Sequence, residues 1–404
     1  MKYNFDEVIC RKNTGAIKVD YLNDLWGRSD LLPMWIADMD FRTAPFVLEA
    51  IKNRCNHPIL GYTHRCESWS DAIVSWQQNR YGWSIQQSWL NFVPGIVPGI
   101  AHCIQAFTKP GDKIMVQTPV YHPYLLVPEN SGREVVKSNL VVPPNEVLRG
   151  LTKGGEKANF DIDWKRFEHD VKGCKLFLLC HPHNPGGRVW TREELSRMAE
   201  ICASQHVIVI SDEIHADLTF KPYRHIPFAA VSETAAMNSI TLASPSKAFN
   251  MPGLASSYSI IPNPHIAEPF NQWLESGEFN LGHVFAYDSV AAAYSHGTEW
   301  LEQCLDYIQG NIDYVGETLK QTMPLLGMIR PQASYLVFLD ARGLGMTVEQ
   351  LNVFFSEDAR LALNDGAMFG NAGAGFMRMN VASPRSVIEQ AMRQLKKAYD
   401  QLAN

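Results

Sequence analysis

No apolar run in the 404-residue chain is long enough to span a bilayer, so a membrane-spanning helix is not expected. Positive charge is not in excess: 36 Lys and Arg stand against 42 Asp and Glu, a formal net charge of −6. That balance gives no electrostatic case for nucleic acid or an anionic membrane as a partner. The eight cysteines are scattered singly with no Cys-x-x-Cys, which predicts reduced thiols in a cytoplasmic protein rather than a disulfide framework. The opening Met1-Lys2-Tyr3-Asn4-Phe5-Asp6 lacks the apolar core of a secretion signal, so export is not expected. Repeats, low-complexity tracts and charged tails are missing as well, leaving a composition ordinary for a globular enzyme, 46% hydrophobic and 19% charged.

At this length the chain exceeds one ordinary core, and one large and one smaller domain are expected. From about residue 90, short apolar runs alternate with amphipathic segments. The runs 113–116, 175–179, 207–210 and 240–242 are apolar throughout, as expected of strands covered on both faces. Between them, Thr191 and Glu194 have capping-box spacing, and Leu195, Met198, Ala199 and Cys202 repeat with helical period. The fold class that follows is α/β: a large domain over residues 46–288, with a mostly parallel central sheet between helices. A long helix over about 285–321 leaves it. The segment 1–45 joins 289–404 in a smaller α/β domain with strands near 335–339 and 376–381 and helices over 348–356 and 384–402.

Four polar segments fall at strand ends, where ligands of such sheets bind. They are Thr118-Pro119-Val120-Tyr121, His181-Pro182-His183-Asn184-Pro185-Gly186-Gly187, Ser211-Asp212-Glu213-Ile214-His215, and Ser244-Pro245-Ser246-Lys247-Ala248-Phe249. A lysine leaving a buried strand just after two hydroxyls suits a Schiff-base amine beside a bound phosphate, since burial lowers its pKa toward neutrality. Each segment alone is weak evidence; their order and placement are specific.

That order, Asn184-Pro185-Gly186-Gly187, Ser211-Asp212-Glu213, then Ser244-x-Ser246-Lys247, resembles the aspartate-aminotransferase superfamily, the fold-type I pyridoxal-phosphate enzymes. Met34 to Phe41, Gly61-Tyr62-Thr63, Asp212 to Asp217 and Ser246 to Asn250 resemble its MalY/PatB branch, the cystathionine β-lyases. The matching motifs run from about Met34 to Arg385, nearly the whole chain. The resemblance implies a pyridoxal 5'-phosphate cofactor carried by Lys247, which would also take the substrate's Cα proton. Asp212 would pair with the ring nitrogen, where a carboxylate keeps the ring cationic. Asn184 and His215 would meet the phenolic oxygen, and Tyr121 would stack on the ring. The phosphate would rest on Gly95, Ile96 and Val97 at the start of a helix running through His102, with the hydroxyls of Ser244 and Ser246.

One position departs from the pattern. Eight residues after the lysine, where many members carry a phosphate-binding arginine, stands Ala255. The implied cradle is then hydroxyls, N–H groups and Tyr62, the last reaching in from the neighbouring subunit of a homodimer. Arg378 matches the clamp for the substrate α-carboxylate, its planar fork giving a two-point grip. Asp38, within the branch-specific stretch, is a candidate substrate contact. The implied activity is α,β-elimination from L-cystathionine or a related cysteine S-conjugate, giving pyruvate, ammonia and a thiol. An aminotransferase on the same scaffold and a pyridoxal-phosphate-binding regulatory protein are the alternatives. A metal hydrolase using His181, His183, Asp212 and His215 would leave Asn184, Lys247 and Arg378 unexplained, so no metal is expected.

Overall fold

The computed structural model describes residues 3–151 and 158–402. Residues 1–2 and 403–404, the two ends of the expected smaller domain, lie outside the described residues, as do 152–157.

The main sheet has seven strands: β1 (Leu90–Val93), β2 (Lys113–Thr118), β3 (Glu134–Asn139), β4 (Cys174–Cys180), β5 (Ile208–Asp212), β6 (Ser239–Ala243) and β7 (Ser257–Ile260). Their spatial order is β1-β7-β6-β5-β4-β2-β3. Neighbours pair in parallel from β3 through β6, and β7 runs antiparallel to both β6 and β1. All of β6, and all of β4 but Lys175, is buried, as the uninterrupted apolar runs require of strands covered on both sides. The helix Arg192–Ser204 carries the expected capping box, with Glu194 N–H donating to Thr191 Oγ1 and Thr191 N–H to Glu194 Oε2. Its buried side chains are Leu195, Met198, Ala199 and Cys202.

The helix expected over 285–321 is two helices, α1 (Ala286–His296) and α2 (Thr298–Thr322), meeting at Gly297. A Cβ at Gly297 would collide with the Ala293 carbonyl and the Phe249 ring, so only glycine lets the chain pass that close. Past α2 comes a second, wholly antiparallel sheet of β8 (Gly327–Ile329), β9 (Leu336–Asp340), β10 (Asn364–Asp365) and β11 (Phe376–Asn380), ordered β10-β11-β9-β8. The closing helix, α3 (Arg385–Gln401), buries Ile388, Ala391, Met392, Leu395 and Ala398.

The N-terminal stretch packs across this second unit. Phe5 meets Phe41, Trp300 and Tyr307 edge-on or tilted. Asn380 Nδ2 donates to the carbonyls of Ile36 and Asp38, which ties the segment 36–38 to β11. That tie brings Ala37 to the carboxyl ends of β4, β5 and β6, where the polar segments gather.

Candidate active site

A cavity opens at those strand ends. Gly95, Ile96, Val97, Tyr121, Asn184, Asp212, His215, Ser246 and Lys247, all singled out from the sequence, line it together. Among the described residues Lys247 is the only lysine or arginine in the lining.

Lys247 is partly buried, and loss of solvent around it is the main cause of its amine falling from 10.5 to about 8. The charge of Arg378 pushes the same way, and those of Asp38 and Asp212 oppose it. Its Nζ donates to the Ala37 carbonyl, which also accepts from Tyr335 at 3.0 Å.

Asp212 ends β5, in register with Cys180 on β4. Burial raises its carboxyl to about 6; the N–H of Ile214 on Oδ1 and the hydroxyl of Tyr124 on Oδ2 pull it back. Behind it, the buried Glu213 accepts from Ser211 Oγ and from the N–H of Phe228, and pairs with His225 at 2.8 Å. Burial raises Glu213 to about 7.

Asn184 follows β4, and its Oδ1 accepts from Arg378 Nη1 at 3.1 Å, which leaves Nδ2 free to donate. Burial lowers His215 to about 3, so the ring is neutral, and its Nδ1 has no partner among the described residues. Tyr121 precedes the helix Pro123–Asn130, and its N–H donates to the Asn184 carbonyl.

Arg378 is 3% exposed. Its Nη2 donates to Asn364 Oδ1 at 2.7 Å and to the Trp35 carbonyl at 3.1 Å, while Nε is without a partner among the described residues. The guanidinium sits 4.8 Å from the Phe369 ring centroid and 5.9 Å from that of Tyr121. Burial lowers it to about 10, still charged at neutral pH. Asn380, expected on the same face of the strand, points with it toward the segment 35–38.

The helix Ile96–Phe107 begins where expected, with Gly95 as its extended N-cap. The first N–H groups of a helix have no partners within it.

Three expected contacts lie outside this lining, Tyr62 among them as a residue expected to serve the neighbouring subunit's site. Ser244 is not in the lining: its Oγ accepts from Ser246 N–H at 3.1 Å and donates to the Ser256 carbonyl at 3.2 Å, so the hydroxyl is spent on its own loop. Asp38 is also outside it. Arg11 grips both its oxygens, and Lys18 lies 3.6 Å away, so the carboxylate anchors the N-terminal stretch. Tyr62 is fully exposed and lines a separate surface groove with Leu60, Leu281 and Val284.

The four side chains of the metal alternative do not converge. His181 and His183 bond the carbonyls of Ile226 and Pro119, and among the described residues no group of three or more His, Cys, Asp or Glu is placed to hold a metal ion.

Sequence reasoning missed Tyr124, Cys180, Ser256 and Ser257. Tyr124 follows Tyr121 by three residues in the same segment, and its N–H donates to the Tyr121 carbonyl, so proximity to that aromatic was the available signal. The serines of β7 offered no apolar run to mark a strand.

The profile of the aminotransferase class I and II family matches residues 30–395. Cystathionine beta-lyase PatB of Bacillus subtilis (strain 168) is 37% identical over 98% of this chain and 99% of its own. Protein MalY of Escherichia coli (strain K12) is 31% identical over 96% and 97%. The crystal structure of cystalysin from Treponema denticola, which contains pyridoxal 5'-phosphate, covers 100% of both chains at a TM-score of 0.93 and 31% identity.

Proposed function

The chain belongs to the aminotransferase class I and II family, and on that premise we propose that it is a pyridoxal-phosphate-dependent carbon–sulfur β-lyase. The substrate we assign is L-cystathionine or a related cysteine S-conjugate, and the products are pyruvate, ammonia and a thiol. One observation carries the reading: the partly buried Lys247 amine, held near neutrality, shares a cavity with Asp212, Asn184 and Tyr121. Full-length similarity to a cystathionine beta-lyase supports elimination over transamination.

The residues fit the cofactor. The cavity offers a buried carboxylate for the ring nitrogen, a free Asn184 Nδ2, an unpartnered His215 Nδ1, and a helix start with neutral donors for a phosphate. Asp212 would hold the ring nitrogen, Asn184 and His215 the phenolic oxygen, Tyr121 the ring face, and Gly95, Ile96, Val97 and Ser246 the phosphate. Lys247 is the point of attachment. When bound, pyridoxal phosphate supplies an electron sink for the pair left at an amino acid's Cα.

The chain's own groups do the rest. Arg378 binds the substrate α-carboxylate, already oriented by Asn184, Asn364 and the Trp35 carbonyl. Lys247 Nζ accepts the Cα proton, a task suited to an amine tuned close to the working pH. Asp212 stays ionised opposite a ring cation because Tyr124 and Ile214 donate to it.

Homodimerisation belongs to the proposal: Tyr62 of the partner subunit adds a hydroxyl to the phosphate cradle. Exposure of Ile59, Leu60 and Tyr62 together, outside the chain's own cavity, supports this.

Purified protein given pyridoxal phosphate and L-cystathionine should release pyruvate and homocysteine in equal amounts. Amino transfer to an α-keto acid without pyruvate would replace the lyase by an aminotransferase.

A further inference from the structure

Among the described residues no arginine lines the cavity, and the position eight residues after Lys247 holds Ala255 in the left-handed region, φ +43°. The next residue, Ser256, is 2% exposed, lines the same cavity as Gly95, Ile96 and Val97, and its Oγ has no hydrogen-bond partner among the described residues. A buried hydroxyl without a partner costs stability. Its neighbours explain where it points. Ser244 Oγ donates to the Ser256 carbonyl, which pins the backbone of the turn, and Ser257 begins β7. Ser256 thus shares the cavity wall with Gly95, Ile96 and Val97, the start of a twelve-residue helix whose first N–H groups have no partners within it.

We propose that Ser256 is a phosphate ligand of the cofactor site, standing in for the missing arginine, and that Ser244 is the residue that positions it. The proposal rests on the pyridoxal-phosphate reading of the cavity. A neutral hydroxyl donates one short bond to a phosphate oxygen where an arginine would add a charge, so the helix N-terminus carries the electrostatic share of the binding.

The test compares two forms of the vitamin that differ only in the phosphate. Apoprotein of the wild type and of Ser256→Ala is titrated with pyridoxal 5'-phosphate and, separately, with pyridoxal, following visible absorbance. Ser256→Ala should bind pyridoxal phosphate on the order of tenfold to a hundredfold more weakly, the worth of one hydrogen bond to a charged group. Its affinity for pyridoxal should match that of the wild type. Unchanged affinity for pyridoxal phosphate overturns the proposal, and so does equal weakening for both compounds, which marks a structural role. Failure of the wild type itself to bind either compound removes the cofactor reading, and this proposal with it.

Discussion

The Tyr124 hydroxyl donates to Asp212 Oδ2 at 2.7 Å, and both groups are buried. With the Ile214 N–H on Oδ1, it is what keeps a carboxylate charged in a place where burial alone would protonate it. Tyr124→Phe removes one of these two bonds and keeps the ring. The acid limb of the pH–rate profile should move upward by on the order of one pH unit, the effect of one bond to a charged acceptor. Activity would then fall more at low pH than at high pH. A variant whose whole profile drops without moving its limb would show that Tyr124 acts through packing alone.

Asp212 should also cost the empty protein stability. Its folded pKa of about 6 lies above the ordinary aspartate value of 3.8, so the folded state holds more protons between those values. Stability therefore falls as pH rises through that window, and the full cost applies above it. Two units correspond to at most about 3 kcal/mol. Asp212→Asn apoprotein should melt at a higher temperature than wild type near neutral pH, and the gap should close below about pH 4. The same variant should lose nearly all lyase activity. Equal melting of the two apoproteins across the range would show that the carboxylate is relaxed at neutral pH.

Much of this site was legible because parallel strands leave two plain marks: an uninterrupted apolar run, then polar residues at its end. β4, β5 and β6 carry both marks, and Asn184, Asp212 and Lys247 were found that way. β7 carries neither. Its Ser257-Tyr258-Ser259-Ile260 is wholly buried, yet half of it is serine, so its cavity-facing neighbour Ser256 went unseen. Ser244 and Asp38 show the opposite limit. Both lie in the right motifs, but partners distant in sequence, or across a turn, claim their polar atoms. Spacing reports which residues arrive at a strand end, and not which of them are already hydrogen-bonded on arrival.

Lys247 has a pH signature that an exposed lysine would not share. Only the unprotonated amine attacks a carbonyl, and burial places its pKa near 8 instead of 10.5. The rate of attachment of pyridoxal phosphate to apoprotein, read by stopped-flow absorbance, should climb with pH and level off just above 8. A rate still climbing toward the ordinary lysine value would mean that the amine is solvated before the cofactor arrives. Lys247→Ala should make no pyruvate while retaining the native melting behaviour to within a small change.

Tyr62 separates a dimeric site from a self-contained one. It is fully exposed on the chain, so Tyr62→Phe should leave the fold untouched. If the hydroxyl reaches a phosphate in the other subunit, the variant should bind pyridoxal phosphate several-fold more weakly, with unchanged mass by light scattering. Unchanged cofactor affinity would leave the cradle to the residues of one chain.

Arg378 is the contact most sensitive to shape. Its guanidinium is locked by Asn184, Asn364 and the Trp35 carbonyl and lies against Phe369, so its direction is set before any substrate arrives. A lysine at this position keeps the charge but loses the planar fork and at least one of these supports. Arg378→Lys should therefore raise KM for L-cystathionine on the order of tenfold to a hundredfold, the value of a two-point charged grip over a single one. The spectrum of the bound cofactor should not change, because Asp212, Lys247 and the helix start are intact. Steady-state kinetics and the absorbance spectrum together decide the matter. A raised KM with an unaltered spectrum places Arg378 on the substrate. A spectrum altered as much as KM would place it on the cofactor through Asn184, and the α-carboxylate would then need another partner.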